Sequence, residues 1–142
     1  MKTIVKKWHR RLAHDRLPEV FAVIIGLGSG AYGTYILATP YEFTRIISFQ
    51  AAFTWFPPYV WGLFFILPSL AMLTLLIHSR FTAAIPIFIL GFVWMFWVFP
   101  ILLSPGFALS AVIIYFVFSL VTQVTGLACL VPREDYHATS ST

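Results

Sequence analysis

The sequence predicts an all-α integral membrane protein, a four-helix bundle that forms one domain over residues 1–142. Three observations support this. Only 10% of the residues are charged, whereas a soluble domain carries about 25%. Four apolar runs are long enough to cross the hydrocarbon of a bilayer, which takes about 20 helical residues. Six of the nine Lys and Arg residues lie in the first sixteen positions, which favours a basic end at a membrane surface over a nucleic-acid partner.

The four apolar runs are separated by proline, glycine and polar residues that end helices. The predicted spans cover about 19–38, 58–78, 82–103 and 107–131. The connections between the last three spans are short, so these spans are expected to run antiparallel as neighbours.

The segment before the first span, residues 2–17, has helical periodicity with apolar residues on one face and cations on the other. This pattern predicts a basic amphipathic helix that lies on anionic lipid headgroups. A solvated basic tail that only orients the protein explains the same charges equally well. The predicted membrane-surface residues are Lys2, Lys6, Lys7, Trp8, Arg10 and Arg11.

Residues 41–56 are less hydrophobic than the runs on either side. The apolar face of this segment is predicted to consist of Ile46, Phe49, Phe53 and Phe56, and the opposite face of Thr44, Arg45, Ser48 and Ala52. The pattern favours a short amphipathic helix along the outer membrane surface. The alternative is an irregular loop packed on the spans.

The distribution of cations predicts the orientation. If the N-terminus is cytoplasmic, eight of the nine Lys and Arg residues lie inside and only Arg45 lies outside. Cytoplasmic loops carry such an excess, so both termini are expected on the cytoplasmic side. Four of the five tryptophans then map toward the outer side: Trp55, Trp61, Trp94 and Trp97.

Small residues form a stripe on the first span. Gly26 and Gly30 are four positions apart, as are Ser29 and Gly33, a spacing that lets another helix approach closely. This face is expected either to dock the first span onto the other three or to face a second copy of the chain.

The spans are expected to hold no Asp, Glu, Lys or Arg, the residues that mark proton relays, ion paths and substrate sites in membranes. Gln123, in the last span, is expected to hydrogen-bond to a neighbouring helix, with a pore-lining role as the alternative. No catalytic residue, metal ligand or cofactor is predicted, so the pattern argues against an enzyme.

A basic N-terminus leads into Pro18-Glu19, a glycine-bearing span, an amphipathic segment with Arg45, and Trp61-Gly62 at the start of the second span. Over residues 16–75 this layout resembles small four-span membrane proteins encoded in phage and prophage genomes. The resemblance implies a phage setting, and hence the bacterial cytoplasmic membrane. It implies no activity and no functional residues.

Together these features predict a small, non-enzymatic membrane protein that works through helix packing, with itself or with another membrane protein. A holin-like lysis pore former is one alternative, although the spans lack a polar face for lining a large hole. A superinfection-exclusion protein that blocks incoming phage DNA is the other.

Overall fold

The computed structural model describes residues 16–104 and 109–131, and these residues are mainly helical. The helices are α1 (Leu17–Ala38), α2 (Pro40–Arg45), α3 (Ile47–Trp55), α4 (Pro58–His78), α5 (Arg80–Leu102) and α6 (Leu109–Leu130). Four of them, α1, α4, α5 and α6, have 21–23 residues and are long and apolar enough to cross a membrane. The prediction of an all-helical protein is confirmed, and the four apolar runs predicted as spans form four long helices whose bounds differ from the predicted ones by at most two residues.

Proline and serine set several helix starts. Pro18, Pro40 and Pro58 each lie in the first turn of a helix, where the missing N–H has no intrahelical partner to lose. Ser79 is the single residue between α4 and α5, and its hydroxyl accepts a hydrogen bond from the Phe81 N–H at 3.2 Å. This N-cap starts α5 directly after α4 ends.

The four long helices form two pairs. α1 packs mainly against α4, and α5 packs mainly against α6, while α4 and α5 join the pairs. The guanidinium of Arg80, at the start of α5, donates to the carbonyl oxygen of Val131, just after α6. The end of the bundle where α1 begins and α6 ends is called the terminal end below. The opposite end, which carries α2 and α3, is called the capped end.

The core differs between the two ends. Toward the terminal end it consists of smaller side chains, namely Ala22, Met72, Ala83, Ala84, Ile87 and Cys129. Toward the capped end it is aromatic, and the residues Tyr32, Phe43, Phe49, Trp61, Phe65, Trp94 and Trp97 are called the aromatic cluster below. Trp61, Trp94 and Trp97 are therefore core residues, while Trp55 is 44% exposed.

Residues 41–56 form two helices rather than the single one predicted. The chain breaks at Ile46, whose φ of −83° and ψ of 114° are extended. Because the break reorients α3 relative to α2, one periodicity does not run through both. Ile46, predicted for the apolar face, is 47% exposed, whereas Ala52, predicted for the opposite face, is fully buried.

The expectation that the spans hold no charged residue is wrong at two helix starts. Glu19 lies in the first turn of α1, and Arg80 is the first residue of α5. Both are at the terminal end, where a charged side chain can extend toward the membrane surface while its helix enters the hydrocarbon. The predicted basic helix over 2–17 falls almost entirely outside the described residues.

Candidate functional site

Two glycines of α1 lie where this helix approaches α4 most closely. A Cβ atom on Gly33 would lie 2.7 Å from the carbonyl oxygen of Gly62 and 2.8 Å from the Cβ of Phe65. A Cβ on Gly26 would collide with the side chain of Met72. Gly26 therefore faces the later part of α4 and Gly33 the earlier part, so the two helices are antiparallel. The absence of side chains at these glycines permits the close backbone contact.

Gly30 and Ser29 occupy the same side of α1 with different contacts. A Cβ on Gly30 would lie 3.6 Å from the Cβ of Ser69 on α4, an ordinary van der Waals distance. Ser29 is buried, and its hydroxyl oxygen accepts a hydrogen bond of 2.9 Å from the indole N–H of Trp94 on α5. Within this chain, α4 and α5 thus cover the small-residue stripe. Gly28 lies on another face of α1, where a Cβ would meet nothing within 4 Å.

A second close contact joins α5 and α6. The Ser119 hydroxyl of α6 donates a hydrogen bond of 2.8 Å to the carbonyl oxygen of Gly91 on α5. A Cβ on Gly91 would lie 2.8 Å from Nε2 of Gln123, so the Gln123 side chain packs on this glycine. Gln123 therefore lies against α5, and the hydrogen bond predicted for it stays a prediction.

Two hydrogen bonds hold α3 on the bundle. The Trp61 indole N–H donates to the carbonyl oxygen of Ala52 at 2.9 Å, and the Ser104 hydroxyl donates to the carbonyl oxygen of Ile47 at 2.9 Å. Between them, the ring of Phe49 stacks on Trp97 with centroids 5.7 Å apart. These contacts place α3 directly over the aromatic cluster. The sequence carries no signal for them, because both acceptors are backbone carbonyls.

The aromatic cluster fills the space between the four long helices. The ring centroids of Phe65 and Trp94 are 4.6 Å apart, and those of Trp61 and Trp97 are 4.7 Å apart. Trp61, Phe65 and Trp97 have no exposed surface. Two tyrosines from different helices also meet here, with the hydroxyl oxygens of Tyr32 and Tyr115 3.4 Å apart. The capped half of the bundle interior is therefore packed with side chains.

The terminal end carries two of the three Lys and Arg residues that the structure describes, and Arg45 at the capped end is the third. Arg16 precedes α1 and is exposed, and Arg80 bridges α5 to the end of α6. The predicted membrane-surface residues at positions 2–11 lie outside the described residues. Over residues 16–104 and 109–131, no three His, Cys, Asp or Glu side chains are grouped so that they could hold a metal ion.

Comparison with known protein families, with curated proteins and with solved structures found no match to this chain.

Proposed function

We propose that this chain is a small, non-enzymatic, four-span protein of the bacterial cytoplasmic membrane that acts through its lipid-facing surface. It packs there against another membrane protein or a second copy of itself. One observation carries this proposal: the aromatic cluster fills the bundle interior at the capped end, and α4 and α5 cover the small-residue stripe of α1. The surfaces left for a partner are the outer faces of the helices and the two ends.

The proposed orientation places both termini in the cytoplasm. Arg16 and Arg80 lie at the terminal end, whereas Arg45 belongs to α2 at the capped end. Five more Lys and Arg residues, at positions 2–11, precede Arg16 in the sequence. This asymmetry supports a cytoplasmic terminal end, since positive residues are retained on that side. The basic N-terminal residues then lie near anionic headgroups.

The phage resemblance makes lysis and exclusion the functions to test against this proposal. The chain is expressed in a bacterium that also carries an endolysin, and membrane potential and culture density are followed together. A closed bundle predicts unchanged potential and growth. Abrupt depolarisation followed by endolysin-dependent lysis would contradict it and identify a holin. If the cells grow unchanged but resist related phages, the protein acts in superinfection exclusion.

The orientation has its own test. A C-terminal fluorescent protein that matures only in the cytoplasm is expected to be bright, and a C-terminal alkaline phosphatase is expected to be inactive. Fusions placed between α3 and α4, at the capped end, are expected to give the reverse. An active phosphatase at the C-terminus would overturn the proposed orientation without affecting the four spans.

A further inference from the structure

An apolar groove runs between α1 and α6 at the terminal end. It has a volume of about 330 Å³ and is lined by Leu17, Pro18 and Phe21 of α1 and by side chains from residues 120–128 of α6. It exists because α1 packs mainly on α4, and α6 mainly on α5, so that α1 and α6 share a smaller contact. The outer surfaces of these two helices diverge there and leave this groove on the lipid-facing side of the bundle.

The side chains that line this groove present mainly hydrocarbon groups to it. Pro18 and Thr125 are its buried residues, and Leu17, Phe21 and Leu120 form exposed walls. The Thr125 hydroxyl donates to the carbonyl oxygen of Val121 in its own helix at 2.8 Å, so it is already satisfied. A ligand of this groove is therefore expected to be an apolar chain, without hydrogen-bonding groups at that depth.

The length and position of the groove match one leaflet of a bilayer. Residues 120–128 of α6 extend over about 12 Å at the helical rise, and half of the hydrocarbon thickness is about 15 Å. The groove ends beside Leu17 and Ala128, near the start of α1 and the end of α6. An acyl chain in it would place its headgroup beside Arg16, the residue just before α1.

The charge at this end fits an anionic headgroup. The first nineteen residues hold six Lys and Arg against two carboxylates, those of Asp15 and Glu19, and Arg16 is exposed next to the groove. At the capped end, the negative charge of Glu42 and the positive charge of Arg45 cancel. Charge complementarity therefore favours an anionic lipid over a zwitterionic one, and only at the terminal end.

We propose that the α1–α6 groove is a binding site for one acyl chain of an anionic phospholipid, whose phosphate lies against Arg16. This goes beyond the proposed packing function, because it assigns a ligand class to a specific surface. It holds whether the partner of the outer faces is another protein or a second copy.

Native mass spectrometry of the full chain, released from vesicles of equal phosphatidylglycerol and phosphatidylethanolamine, tests this site. The wild type is expected to retain one phosphatidylglycerol preferentially. Arg16→Gln is expected to lower that preference about fivefold, the effect of one cation near an anionic surface. Ala128→Phe, which fills the groove, is expected to abolish retention. Arg45→Gln and the lipid-facing change Leu67→Phe are controls that should leave it unchanged.

Three results would overturn the proposal: equal retention of the two lipids, unchanged retention in both groove variants, or a dimer that Ala128→Phe dissociates. The last result would assign the groove to a second copy. If Ala128→Phe does not fold, the wild type is crosslinked instead to phosphatidylglycerol that carries a photoreactive acyl chain. Crosslinks are expected in peptides 17–21 and 120–128, and an even spread over all lipid-facing surfaces would contradict the site.

Discussion

The indole N–H of Trp94 on α5 donates a hydrogen bond of 2.9 Å to the hydroxyl oxygen of Ser29 on α1. Both residues are buried and stand 65 positions apart in the chain. The ring of Tyr32 on α1 also packs against Trp94, with ring centroids 5.1 Å apart. The bond and this ring contact hold α1 against α5, while Gly26, Gly30 and Gly33 face α4.

Breaking this bond is expected to loosen α1. Trp94→Phe and Ser29→Ala should each lower the free energy of unfolding by about 0.6–1.7 kcal/mol, the range for hydrogen bonds between membrane helices, with an added packing loss for the smaller ring. Unfolding in mixed micelles measures this. The double variant should be less destabilised than the sum of the single ones, because the bond is lost only once. Additive effects would show that the bond contributes nothing.

A graded series on α1 tests its contact with α4. Gly33→Ala is expected to destabilise by about 1–3 kcal/mol, because the new methyl group would press on the Gly62 carbonyl. Gly30→Ala should be tolerated, since its Cβ fits at 3.6 Å from Ser69, whereas Gly30→Leu should disrupt the contact. Gly28→Ala is the matched control, expected to be neutral or stabilising by up to about 1 kcal/mol. Equal effects at Gly28 and Gly33 would contradict the observed packing.

The hydrogen bonds that hold α3 predict a local effect. Trp61→Phe removes the bond to Ala52, and Ser104→Ala removes the bond to Ile47. Ser104→Ala is expected to raise amide hydrogen exchange in residues 47–55 several-fold while exchange in α4 changes little, because a small element opens locally. Trp61→Phe also removes part of a fully buried ring of α4, so it is expected to raise exchange in both α3 and α4. Trp55→Phe, at an exposed ring, is the control. Unchanged exchange in α3 would show that ring packing alone holds it.

The spans could be predicted closely because bilayer thickness sets the length of an apolar run, and proline marks its ends. The small-residue stripe could be recognised from its spacing, but its partner could not. Nothing local to Gly33 distinguishes Gly62 of the same chain from a glycine of another copy. Only the geometry of α4 decides this.

Whether a tryptophan lies at the membrane interface or in the core could not be predicted from the sequence. An indole near a span end suits the membrane interface, where its N–H reaches water. It suits the core equally well when an acceptor lies within reach. For Trp61 and Trp94 those acceptors are the Ala52 carbonyl and the Ser29 hydroxyl, which come close only in the folded bundle. The break at Ile46 could not be predicted either, because the spacing of Ile46, Phe49, Phe53 and Phe56 also fits a single helix.

The small-residue stripe of α1 packs on α4 of the same chain, and a disulfide between the two helices tests this contact directly. A Cβ at position 30 would lie 3.6 Å from that of Ser69, within the range of about 3.5–4.5 Å that a disulfide needs. Gly30→Cys and Ser69→Cys are combined with Cys129→Ala, and membranes are oxidised mildly, with Gly28→Cys and Ser69→Cys as the control pair.

An intramolecular disulfide is expected in the monomer for the Gly30 pair, and none is expected for the Gly28 pair. A disulfide-linked dimer from the Gly30 pair, with no crosslinked monomer, would contradict it.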